Sequence, residues 1–170
     1  MDIAKRRYYA SARLLALVIG SALLVGIEGV AESEETKVRL VAVITHVEND
    51  VGEIPRSELA RIFLKQQTEW PNGERCIPID QRGENPIRKA FSKIVLRRSV
   101  YEIKRYWMQE TMTGNARPPV SLESASTVKK YVQKLKGAVA YIYLDDVDDT
   151  VRILAVSDAE ELAQPTRKPP

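Results

Sequence analysis

Two short runs almost free of polar side chains, 38–45 (VRLVAVIT) and 138–143 (AVAYIY), bracket four stretches whose apolar residues recur at helical spacing. A strand with one wet face alternates apolar and polar residues. A nearly continuous apolar run instead reads as a strand covered on both faces. Such strands need helices on either side of their sheet, so the pattern predicts an α/β fold with a mixed, mostly parallel sheet and flanking helices.

The intervening segments supply those helices. Leu59, Ile62 and Phe63 form a short apolar stripe, with Pro55 ahead of it and Ser57 as the predicted N-cap. Residues 70–73 (WPNG) make a turn, and 76–80 a short strand. Asn85 followed by Pro86 opens the next helix as cap and first residue, with Ile87, Ala90, Phe91, Ile94 and Val95 on one face. Ser99 and Glu102 form a capping box for a second helix carrying Ile103, Tyr106 and Trp107. Gly and Pro keep 113–119 (TGNARPP) out of any helix. Ser124 or Ser126 caps a third helix, with Val128, Tyr131, Val132 and Leu135 inward and Gly137 at its end. An acidic turn, 145–149 (DDVDD), precedes a last strand at 151–156, and 158–170 reads as a polar, Pro-containing tail.

The head of the chain has a different character. Lys5, Arg6, Arg7 and Arg13 precede an apolar run from Leu14 to Ile27, which exits through Gly29, Val30 and Ala31. A basic start, a short apolar core and small residues at the exit are the pattern of a secretory signal peptide cleaved after Ala31. The run has 14 residues, whereas a span takes about 20, which favours a cleaved signal over the alternative, an uncleaved anchor; no stable membrane span is expected after cleavage. The expected parts are a signal peptide at 1–31, a polar leader at 32–37, one domain at 38–157 and the tail. The expected location is the periplasm or the exterior of a bacterium.

Composition narrows the function classes. One Cys and one His exclude an internal disulfide and leave too few soft ligands for a zinc site. The formal charge of +3 falls to +1 without the first 31 residues, which hold four Lys/Arg and two Asp/Glu; this is too weak for a strong grip on nucleic acid. No phosphate-binding glycine loop, nucleophile elbow or HExxH motif is present, so neither an enzyme nor a cofactor is expected.

Three stretches carry a resemblance. Residues 59–73 (LARIFLKQQTEWPNG), the run from Tyr106 and Trp107 through Thr113 and Gly114 to Pro118 and Pro119, and 128–142 with its KGAVAY segment follow one another in order. Together they resemble the phosphate ABC transporter substrate-binding family, the type II periplasmic binding proteins. The resemblance implies a non-catalytic exported domain with the fold of a single periplasmic-binding-protein-like lobe. It also implies a small oxyanion such as phosphate as ligand, and an ABC transporter permease as partner. In that family an Arg and a hydroxyl-bearing turn open a helix and receive the oxyanion. The matching stretch here is 80–86 (DQRGENP). Arg82 supplies a guanidinium, Gly83 allows close backbone approach and Asn85 offers a side-chain donor. The hydroxyls are missing, Glu84 opposes an anion and Pro86 removes an amide.

The expected ligand-binding residues are therefore Arg82, Gly83 and Asn85, with Thr113 and Gly114. Each has a plainer reading, as solvated loop residue, helix cap or turn. The same holds for His46 and for Asp145, Asp146, Asp148 and Asp149, which match no calcium loop; no metal site is expected. Two functions follow. One is oxyanion binding in connection with ABC-type transport or sensing. The alternative is a non-transport protein-interaction module that keeps the lobe but has lost the ligand site, docking on an envelope protein through a surface around Trp70 and Trp107.

Overall fold

A computed structural model describes residues 39–165. The predicted signal peptide, the leader and the end of the tail lie outside these residues. The chain runs β1 (Val41–Thr45), β2 (Glu53–Pro55), α1 (Arg56–Phe63), β3 (Ile77–Gln81), α2 (Pro86–Phe91), a π-helical turn (Ser92–Leu96), α3 (Val100–Met112), β4 (Val120–Leu122), α4 (Ala125–Lys134), β5 (Ala138–Tyr143), a 3₁₀ turn (Leu144–Asp146), β6 (Arg152–Ile153), β7 (Ala155–Ser157) and β8 (Leu162–Ala163).

The main sheet has the order β4-β3-β5-β1-β6, with β8 also pairing to β1. The β3–β4, β3–β5 and β1–β8 pairs are parallel, while β1 runs antiparallel to β5 and β6. The sheet is thus mixed and mostly parallel. β1 and β5 are its centre, and their pairing is in register from Val41 opposite Tyr143 to Thr45 opposite Val139.

Both faces of that centre are covered. Val41, Val43, Val139 and Tyr141 join one core with Leu59, Ile62 and Phe63 of α1 and Ile87 and Phe91 of α2. The alternate residues Ala42, Ile44, Ala140 and Ile142 point the other way and are equally buried. Val128 and Val132 of α4, a helix packed on β5, are buried too. Leu64, Ile103 and Trp107 form a smaller cluster that seats α3 on the end of α1.

Several local readings are corrected. Ser57 is not the cap of α1. The cap is Pro55, two residues earlier, whose extended backbone starts the helix at Arg56 without a side-chain cap bond. α4 stops at Lys134, and Leu135 is already extended. The predicted last strand is two strands in different sheets: β6 pairs with β1, while β7 pairs with β2 beyond Leu154. Part of the expected tail is sheet, because Leu162 and Ala163 are buried against β1. The two Trp residues present no surface. Trp70 is buried and its indole donates to the Gly137 carbonyl at 3.1 Å, and Trp107 is buried in the α3 cluster. Neither side chain can therefore anchor the docking expected of it.

Gly137 owes its identity to that crossing. Its carbonyl also accepts from Ile77 N at 2.9 Å, and a Cβ here would meet the Arg75 carbonyl oxygen at 2.0 Å. Cys76, one residue before β3, is buried, and burial pushes its thiol up to about 12. The raised value means that the thiol's contribution to stability is complete below the unfolded value of 9.0 and is lost as pH climbs toward about 12. The folded protein is expected to leave Cys76 unmodified by iodoacetamide at pH 8 and to react fully in denaturant. Alkaline denaturation midpoints should rise in Cys76→Ala. Rapid labelling of the native chain would contradict the buried placement.

Candidate functional site

β3 ends in Asp80 and Gln81, and the chain then turns through 82–85 into α2. What shapes this turn is a set of internal bonds. The Asp80 carboxylate accepts from Tyr141 Oη at 2.5 Å and from Gln81 N at 2.8 Å on one oxygen, and from Arg88 at 2.6 Å on the other. The side chains of Arg88 and Asp80 are only 11% and 14% exposed, so this pair is shielded from water. Arg88 also donates to the Gly83 carbonyl at 2.7 Å. One guanidinium on the first turn of α2 thus straps the turn to the strand that precedes it. Gln81, itself buried, donates to the Tyr141 carbonyl at 3.0 Å and ties the same point to β5. Burial and the adjacent Asp80 charge push the Tyr141 hydroxyl well above its ordinary value, so it stays a donor.

The predicted ligand residues sit on and around this frame. Gly83 adopts the left-handed backbone that its type permits, with φ 78°. Asn85 is the helix cap: its oxygen accepts from Arg88 N at 2.8 Å and its amide donates to the Arg82 carbonyl at 3.2 Å. Arg82 points to solvent and pairs with Glu123 at 2.6 Å; the two side chains are 65% and 71% exposed. Glu84 pairs with Lys104 at 2.5 Å, and that contact holds its carboxyl below the usual range. Arg82, Gly83 and Asn85 therefore share one turn, as the chain order requires. Thr113 and Gly114 close α3 instead. The Thr113 hydroxyl donates back to the carbonyls of Gln109 and Glu110, and Gly114 takes a left-handed φ of 73°. The loop behind them is tied to Lys65 through the Pro118 carbonyl.

Other candidates have local partners. His46 bonds the Gln133 carbonyl and the Glu48 amide. Asp148 takes Lys129 and the Thr150 hydroxyl, which hold its carboxyl down to about 2. Among the described residues, no group of three or more His, Cys, Asp or Glu is placed to hold a metal ion. Sequence reasoning missed Arg88 and Tyr141. The one available signal was an Arg three residues after the Asn85 cap, on the helix turn that faces back toward β3.

No family model matches the chain, and no match is found among curated proteins. Solved structures do match. A phosphate transport receptor of the ABC type from Vibrio cholerae superposes with a TM-score of 0.57 at 19% identity, over 72% of this chain and 48% of its own. A substrate-binding protein from Clostridium perfringens, crystallised with bound phosphate, gives 0.55 and 21%, over 72% and 47%. PstS from Borrelia burgdorferi gives 0.54 and 15%, over 71% and 48%. The chain has the fold of one periplasmic-binding-protein-like lobe. It spans about half the length of each of these proteins, and the likeness at this identity is one of fold. Among the described residues no helix is long and apolar enough to cross a membrane.

Proposed function

We propose that the chain is an exported oxyanion-binding lobe that takes phosphate or a related small oxyanion at the β3–α2 turn, in connection with ABC-type transport or sensing. The fold shared with phosphate-binding proteins carries the reading. The state of Arg82 supports it chemically. An exposed ion pair contributes only about 0–1 kcal/mol, so Arg82 can exchange Glu123 for a ligand at little cost. Gly83 leaves the backbone open beside it, and the Arg88 strap holds the turn in one shape before any ligand arrives. Thr113 and Gly114 remain part of the proposed site as the second contributing turn.

Calorimetric titration of the full chain with phosphate, and with sulfate as control, tests this. Micromolar phosphate binding is expected, with Arg82→Ala weakening it at least about tenfold and Glu123→Gln strengthening it by removing the competing carboxylate. No heat and no thermal stabilisation at millimolar phosphate would overturn the oxyanion reading.

A second reading has its own observation. Asn85, the Gly83 carbonyl, Glu84 and Thr113 already spend their polar groups inside the protein. A turn so fully engaged also suits a lobe that serves as a protein-interaction module without a ligand. Titrations that show no anion binding, together with a partner-binding face elsewhere, would favour it.

A further inference from the structure

A separate surface lies beyond α2. Lys89, Lys93 and Arg97 follow at intervals of four along α2, the π-helical turn and its left-handed cap, where Arg97 has φ 53°. The three cations fall on successive turns of one helical stretch. Like charges four apart oppose a helix. Among the described residues none of the three has a carboxylate within ion-pair distance, while Arg97 also borders a neighbouring groove lined by Asp158, Glu160 and Glu161. With Arg98 they line a groove of about 600 Å³. Its two acids are already engaged, Glu84 by Lys104 and Glu102 by the Ser99 amide and hydroxyl.

A second groove, of about 560 Å³, shares Arg98 and Glu102 and continues along α3 past Arg105. Here the sequence spacing is decisive. Tyr101, Arg105, Met108 and Met112 fall within an arc of roughly 60° at 100° per residue. The three apolar members are 66%, 60% and 81% exposed, while Val100, Ile103 and Trp107 on the other side of α3 are buried. Single exposed apolar residues need no explanation, but an aligned stripe framed by unpaired cations does.

We propose that this continuous face docks an acidic, amphipathic helical segment of another protein. Its carboxylates would meet Lys89, Lys93 and Arg97, and its apolar residues would meet Tyr101, Met108 and Met112. The length of the cation row selects a run of negative charges over a single oxyanion. The apolar stripe selects a protein segment over a bare polyanion, which gains nothing from methionine. Flexible thioether side chains suit a helix laid in a groove, because they repack around its apolar anchors. The proposal uses none of Arg82, Gly83 or Asn85, so it stands or falls apart from the oxyanion site.

Fluorescence anisotropy with the full chain tests it. The probe is a labelled synthetic helix of Glu-rich heptads with Leu along one face. Polyglutamate, single-stranded DNA and vesicles of phosphatidylglycerol are the comparison ligands. The amphipathic probe is expected to bind in the micromolar range and to weaken as salt rises. Lys89→Glu/Lys93→Glu and, separately, Met108→Ser/Met112→Ser should each weaken it at least about tenfold. All four residues are exposed, so melting temperatures should stay near that of the parent. Arg82→Ala should leave probe binding unchanged. Failure of the probe to bind would overturn the proposal. So would polyglutamate, DNA or vesicles binding as tightly as the probe. Concentration-dependent self-association lost in the same variants would assign the face to a second copy and overturn it as well.

Discussion

Replacing Phe91 with Ala is expected to lower stability by about 3–5 kcal/mol, at the upper end for a core truncation. The ring sits between two others. It stacks on Tyr141 with centroids 3.9 Å apart and planes within 4°, and it leans on Phe63 at 4.6 Å. These three rings join β5, α1 and the junction of α2 with the π-helical turn. Truncation therefore leaves a cavity walled by separate elements, which cannot close without moving a helix. It also strips one face from Tyr141, whose hydroxyl holds Asp80. The unfolding midpoint in urea should fall with little change in slope, and the melting temperature should fall by roughly 10 °C or more. Phe91→Leu keeps most of the volume and should cost less than half as much. A loss under about 1 kcal/mol for Phe91→Ala would mean that the three rings do not form one packed unit.

Phe91 was legible in the sequence as one position of an apolar helical stripe, and so were most long elements. The caps at Asn85 and at Ser99 with Glu102 form as their residue types dictate, since each satisfies orphan amides locally. What was not legible is non-local. β2 and β4 have three residues each and no periodicity to read; they exist because β7 and β3 offer them partners. The last apolar run divides at Leu154 because its two halves pair with different strands. The π-helical turn leaves the apolar stripe of α2 intact, so the stripe alone cannot reveal it. At the candidate site the residues of the turn were legible, but their state was not. Arg88 pairs with Asp80 and Arg82 with Glu123, and chemistry alone does not say which pair is shielded and which is exposed. Trp70 and Trp107 show the same limit. Their bulk marked them as surface anchors or packing residues, and only the fold decides for packing.

Removing the shielded guanidinium should therefore do more damage than removing the exposed one. Arg88→Ala leaves the Asp80 carboxylate shielded from water with no counter-charge. It also leaves the Gly83 carbonyl without its donor. The expected loss is roughly 3 kcal/mol, the low end for breaking a buried pair, because both side chains keep some contact with water. Arg82→Ala, at an exposed pair, should cost under about 1 kcal/mol. Asp80→Asn with Arg88→Met removes both charges together and should recover much of the loss, since the remaining amide still accepts from Tyr141. Chemical denaturation of Asp80→Asn, of Arg88→Met and of the double variant gives a coupling energy. A value near zero would show that Asp80 and Arg88 do not depend on one another, and the turn would need another explanation for its shape. The same variants also separate frame from ligand contact. If the turn receives an oxyanion, Arg88→Ala weakens phosphate binding by loosening the turn, and Asp80→Asn with Arg88→Met does not restore it, because the Gly83 carbonyl still lacks its strap. Arg82→Ala instead weakens binding with little loss of stability. A chain whose stability follows Arg88 while its phosphate affinity ignores both arginines would have kept the frame of a binding lobe without its ligand.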